Sequence, residues 1–383
     1  MIDKSIFNIN YANKKILLRI DISCPIYDNK IIDEYRLHLN LPFIQLLLEN
    51  GCSLIILSNN NDNSLELVSK KLQELLPQYP VNFINENSTE VVSEKCVNLN
   101  NEILVLENVE FNKDDLVIKE GVVKFWSSLC DYYVFDALNQ ADKKINSIYG
   151  MMKYYPDKCF YGQLISEEFN SIDKILTNST RFNFIIGGTK LVNKVNIINK
   201  YSNKIHKLIV GGALSFEFLK ANSYDIGRSY IDNRDTYDVM NVTRTSKNKI
   251  VLPKDFVCVR DLNDEETNTI SIYEGLKENI GCDIGEETIR LFKESLVGVN
   301  NVVFFSALGM FELNKFAKGT VAMLDFLKEL TRQGVNTYIM SPDLIMCAKA
   351  NGFKKSDFTC FSDAGNNITN ILQGTQLPGL LLI

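Results

Sequence analysis

Short apolar runs alternate with amphipathic stretches along the whole chain. In the first half, residues 16–21, 53–57, 103–106 and 132–135 have the length and the aliphatic and aromatic content of strands. Between them, residues 37–50 and 64–76 place apolar side chains at helical spacing. The second half repeats the alternation, with strands predicted at 184–186, 208–210, 250–252, 302–305, 337–339 and 359–361, and helices at 286–296 and 319–334. One more amphipathic stretch, 162–176, lies between the halves. Strand and helix in turn predict βαβ units and parallel sheets, an α/β fold in two similar halves. Open parallel sheets take ligands at the carboxyl ends of their strands, which places 58–63, 136–145, 187–194, 211–215, 305–312 and 340–344 around one crevice. The Asn-rich 58–64 loop reads, by itself, as a solvated turn.

Composition narrows the class. A chain of 383 residues, 45% hydrophobic and 23% charged, can bury two domain cores. The nine cysteines form no C-x-x-C pair and read as reduced core thiols. With only His38 and His206 present, histidine catalysis and histidine metal sites have almost no raw material. No signal-like leader and no membrane-length apolar run occur, so a cytoplasmic location without a membrane partner is expected. The net charge of −6 argues against nucleic acid. Residues 1–160 carry 16 basic and 22 acidic side chains, leaving 25 of each for the remainder, so the acidity sits in the first half.

Residues 184–216 are the most informative stretch. The run Phe184-Ile185-Ile186 stops at Gly187-Gly188, and Leu208-Ile209-Val210 stops at Gly211-Gly212. Glycine allows a sharp bend there and lets backbone N–H groups face a ligand. Lys190 and Lys194, four apart, are expected on one face of the first turn of the helix that follows. Two ammonium groups oppose the helix dipole at that end unless an anion shares the spot. On the residues alone, an ordinary βα turn with two solvated lysines accounts for the stretch as well as a phosphate site does. No Walker spacing and no G-x-G-x-x-G occur nearby.

Taken in order, the motifs resemble those of the phosphoglycerate kinase family over nearly the whole chain. They are IDISCP (20–25), EYRLHLNLP (34–42), SNNNDN (58–63), VLENVE (105–110), DALNQADKKI (136–145), GGTKLVNK (187–194), GGALS (211–215), SALGMFE (306–312), FAKGT (316–320) and GTQLPGL (374–380). The resemblance implies two Rossmann-like three-layer domains with parallel sheets. These are an acceptor-side domain over 1–161, a hinge helix over 162–178, a nucleotide-binding domain over 179–368, and a segment over 369–383 packed back on the body. It implies phosphoryl transfer between ATP and 3-phosphoglycerate in glycolysis, by a monomer using ATP or ADP with magnesium, the hinge closing to exclude water.

Carried across by matching motifs, Arg36 and Lys190 are the catalytic pair. Gly187, Gly188, Lys190, Lys194, Gly211, Gly212, Glu312 and Asp343 form the nucleotide side, with Asp343 also the magnesium residue. Asp21, Ser23, Arg36 and Lys143 form the acceptor side. Bland readings exist for several: Arg36 pairs with Asp33 or Glu34, Asp21 caps a turn, and Glu312 and Asp343 stabilise helix starts.

The departures are as specific as the matches. Pro342 and its neighbours replace a glycine-rich phosphate cradle, Phe305 replaces an asparagine, and Asp363 enters a phosphate loop. On the acceptor side Ser23 replaces Asn, while Asn59, Asp62 and Glu110 replace a histidine and two arginines. Asp142-Lys143-Lys144-Ile145 stands for H-R-A-H. A unit charge pair in contact is worth about 4 kcal/mol at an effective dielectric near 20, so 3-phosphoglycerate is expected to bind poorly. Activity is therefore expected to be weak or lost. The alternative is a non-catalytic member acting as a nucleotide sensor or binding scaffold.

Overall fold

The structure, a computed structural model, describes residues 3–85, 89–176, 181–232, 236–246, 248–362 and 364–383. The chain divides into two compact units, Met1–Asn170 with Gln376–Ile383, and Ser171–Thr375. The division falls inside the helix Gln163–Leu176. The last two positions of the expected hinge helix, 177 and 178, lie outside the described residues, as does Asp363.

The first unit is built on a six-stranded parallel sheet. Its order is Val81–Ile84, Ile103–Leu106, Ser53–Leu57, Lys15–Ile20, Tyr132–Asp136, Cys159–Tyr161. Lys15 pairs with Ser53 on one side, and Ile16 with Tyr132 on the other. Every residue of Ser53–Leu57 and Ile103–Leu106 is buried. Such two-sided burial explains why these strands read as unbroken apolar runs, with no polar alternation. The helix Tyr35–Glu49 buries Leu37, Phe43, Ile44, Leu47 and Leu48 against the core that holds Ile16, Leu18 and Ile20. The two outer strands escape the sequence pattern because Val81–Ile84 is interrupted by exposed Asn82 and Cys159–Tyr161 is only three residues long.

The chain end belongs to this unit. Gly379 N–H donates to the Ala141 carbonyl at 2.7 Å, and Leu382 N–H donates to the Tyr161 hydroxyl at 3.1 Å.

The second unit has its own six-stranded parallel sheet. Its order is Ile250–Val251, Ile205–Val210, Phe182–Ile186, Asn301–Phe305, Asn336–Ile339, Cys360–Phe361. Phe182–Ile186 and Asn301–Phe305 are neighbours in register, Phe305 opposite Ile186, so their two following loops start side by side. This unit also contains a three-stranded antiparallel sheet that the alternation did not foresee: Asn268–Ser271, Asp255–Val259, Ile280–Ile284. Phe256 of its middle strand packs on Phe216 of the helix Leu214–Ala221, ring centroids 4.7 Å apart.

All nine cysteines are free thiols and buried. Among the described residues no helix is long and apolar enough to cross a membrane.

Candidate functional site

In the second unit, a cavity of about 900 Å³ opens beside the ends of Phe182–Ile186, Ile205–Val210 and Asn301–Phe305. That volume suits a ligand of nucleotide size. Its wall contains Gly188, Lys190, Lys194, Gly212, Glu312 and Asp343, so the sequence-matched nucleotide residues converge on one space. Gly187 and Gly211 lie behind that wall, in the turns.

The glycines serve the fold differently from the expectation that their N–H groups face a ligand. Gly187, Gly188, Gly211 and Gly212 donate to the carbonyls of Phe305, Ala307, Ile186 and Leu308, at 2.8–3.1 Å. What they supply is close approach. A Cβ on Gly187 would stand 2.0 Å from the Ala307 carbonyl oxygen, and one on Gly212 2.7 Å from the Gly188 nitrogen.

The two lysines also differ from the pattern-based placement. The helix runs Val192–Lys200, so Lys190 precedes it, exposed in the loop, and only Lys194 is in the first turn. Lys194 is 5% exposed. Its ammonium donates to the Lys190 carbonyl at 2.8 Å and stands 5.8 Å from the centre of the Phe305 ring. The ring face and the carbonyl together hold the ammonium in one place.

Asp343, also in the lining, occupies the first turn of Pro342–Ala350, and its Oδ2 accepts from Ala307 N–H at 3.0 Å. Ser341 Oγ accepts from Ser306 N–H at 3.0 Å, and Ser306 is held at φ +73°.

Asp283 lines the same cavity, and sequence reasoning passed over it. Its carboxylate accepts from Ile284 N–H at 2.9 Å and Gly319 N–H at 2.7 Å, tying the strand Ile280–Ile284 to the start of the helix Lys318–Arg332. Burial pushes this carboxyl up to about 7. The only signal in the sequence was an acid inside an otherwise apolar run.

In the first unit, Asp21 is buried and forms an ion pair with Arg36, whose side chain is 43% exposed. Glu34 pairs elsewhere, with Lys71 at 3.1 Å. Asp21 also accepts from Ser23 N–H at 3.0 Å. Lys143 is paired with Glu110 at 2.8 Å, while Asp62 is exposed in its loop. Lys144 lies over the Tyr149 ring at 5.1 Å.

Arg19, also missed, is fully buried in the strand Lys15–Ile20. It donates to the Ile20 carbonyl at 2.8 Å and to Asn59 Oδ1 at 3.1 Å. Burial lowers its affinity for a proton, and the charges of Tyr133, Asp115 and Glu110 work the other way. An arginine inside a fully apolar run was its signal.

A family model for phosphoglycerate kinase matches residues 6–375. The chain belongs to the phosphoglycerate kinase family. It is 32% identical to a phosphoglycerate kinase of Thermosipho africanus, over 99% of this chain and 97% of that one. The same identity holds for one of Fusobacterium nucleatum, over 98% of each. In fold it is similar to the phosphoglycerate kinases of Coxiella burnetii (TM-score 0.86, 24% identity, 99% and 97% covered) and Pyrococcus horikoshii (0.82, 23%, 99% and 98%).

Set on the phosphoglycerate kinase motifs, the substitutions acquire geometry. Phe305, in place of asparagine, puts a ring under Lys194. Ser306, in place of glycine, carries a side chain at positive φ. Glu110, in place of arginine, forms an ion pair with Lys143 of the 142–145 segment.

Proposed function

We propose that this phosphoglycerate kinase homologue binds a magnesium nucleotide in the cavity of its second unit and phosphorylates 3-phosphoglycerate weakly. Support for the nucleotide half comes from Lys190, Lys194, Glu312 and Asp343 lining one space of suitable size. Glu312 would take the ribose hydroxyls, and the two lysines the phosphate oxygens. Asp343 would hold magnesium, which when bound neutralises phosphate charge. Transfer of this kind needs positioning and charge stabilisation, with no covalent step on the protein. Arg36 and Lys190 would provide the stabilising charge.

The acceptor half rests chiefly on the Lys143–Glu110 ion pair. A phosphate group entering there must compete with a carboxylate already placed on its cation. Arg36 is similarly engaged by Asp21. A trianionic acceptor gains little from cations whose charge is already balanced.

The test is a coupled assay of ATP-dependent phosphorylation of 3-phosphoglycerate, run beside calorimetric titration with Mg-ADP. The expected result is measurable Mg-ADP binding, lost when Lys190 and Lys194 are both replaced by Ala, with turnover well below the usual range. Turnover of roughly 1–10³ per second would overturn the weak-acceptor reading. No heat with millimolar Mg-ADP would overturn the nucleotide reading.

A further inference from the structure

The cation–aromatic contact joins Lys194, which lines the cavity, to Phe305, which is not itself in the lining and stands where the matched family motif has an amide side chain. We propose that Phe305 is a positioning residue for nucleotide binding: its ring face holds the Lys194 ammonium in place before the phosphates arrive. The inference rests on the nucleotide reading above and deepens it.

Three observations carry it. Lys194 and Phe305 are 5% and 4% exposed, so the contact is shielded from water, where attraction between a cation and a ring quadrupole is strongest. The residue that carries the ring is held at its backbone and packed at its side chain. Gly187 N–H donates to the Phe305 carbonyl at 3.0 Å, and Phe184 meets the ring edge-on at 6.5 Å. The ammonium is also tethered to the Lys190 carbonyl at 2.8 Å, on the loop that carries the second cavity lysine.

A free lysine side chain must surrender its rotamer freedom when it grips an anion. Here the ring face and the carbonyl have already taken that freedom. The ring attracts charge without accepting a conventional hydrogen bond, so this contact takes up none of the ammonium's donors. An amide at position 305 would offer a ligand a hydrogen bond; a phenyl ring offers it a prearranged neighbour.

The experiment is calorimetric titration of the full chain with two probes, Mg-ADP and phosphate-free adenosine, on wild type, Phe305→Leu, Phe305→Tyr, Lys194→Met and the Leu/Met double variant. Phe305→Leu should weaken Mg-ADP binding by about 2- to 30-fold, the span from an exposed to a desolvated cation–ring contact, and leave adenosine unchanged. Phe305→Tyr keeps the ring face and should restore Mg-ADP binding. With Lys194→Met already in place, the leucine change should cost nothing more.

Equal loss for both probes, additive effects of the two substitutions, or no effect of Phe305→Leu would each overturn the proposal. If leucine prevents folding, Phe305→Met replaces it in the cycle. Wild type that binds no Mg-ADP would remove the nucleotide reading and this inference with it. Wild type and Phe305→Leu binding Mg-ADP equally would remove this inference alone.

Discussion

Replacing Asp283 by Asn should flatten a pH dependence of stability that the wild-type protein shows between mildly acidic and mildly basic solution. Asp283 is 2% exposed, and burial raises its carboxyl from the ordinary 3.8 to about 7. The folded state therefore holds a proton that the unfolded chain has given up, and it does so between roughly pH 4 and pH 7. Stability falls as pH rises wherever the folded state binds more protons, which is the reverse of the usual salt-bridged carboxylate.

Each unit of separation is worth about 1.4 kcal/mol. Near pH 5.5 the accumulated cost is about 2 kcal/mol, and above pH 7 it levels off at about 4 kcal/mol. Wild type should thus lose on the order of 2 kcal/mol from this group between about pH 5.5 and pH 8. Asn cannot ionise, though its amide nitrogen cannot accept from Ile284 or Gly319 N–H. The variant should be less stable by about 1–3 kcal/mol at acidic pH, and the gap should close as pH rises.

Urea unfolding of both proteins at the two pH values, with ¹³C titration of the Asp283 carboxyl as a direct check, measures this. Parallel pH profiles for the two proteins, or a carboxyl titrating below about 5, would refute the reasoning.

Two other substitutions have defined outcomes. Ser306→Gly should stabilise the protein by roughly 1 kcal/mol or less, because φ +73° costs a side-chain-bearing residue and not glycine; the urea midpoint reads it, and a lower midpoint would contradict the strain. Glu110→Gln should tighten 3-phosphoglycerate binding by about 2- to 5-fold, the worth of a half-exposed ion pair released from Lys143. Calorimetry with 3-phosphoglycerate measures that, and an unchanged affinity would separate weak acceptor binding from this pair.

The parallel sheets were legible because their central strands are buried on both faces and so appear as unbroken apolar runs. The antiparallel Asp255–Val259 region was not. Its strands open on polar residues, Asp255 in one and Asn268-Thr269 in another, and Asn268 and Thr269 are exposed. Nothing local distinguished them from loop.

Glycine turns and charge spacing pointed to residues that line the cavity, Gly188, Lys190, Lys194 and Gly212 among them. Arg19 and Asp283 were missed because charged residues inside apolar strands read as interruptions, although both are held by specific hydrogen bonds. Neither the partner of Lys143 nor the bed of Lys194 could be seen from spacing. Glu110 is 33 positions from Lys143, and Phe305 is more than a hundred from Lys194.

The residues Gln376–Ile383 return to the first unit after the whole second unit has been made. Gly379 there fits where a methyl group would meet Ala141, Phe135 and Ile148 within about 3 Å. During synthesis, then, the half of the protein that emerges first is the half that is finished last.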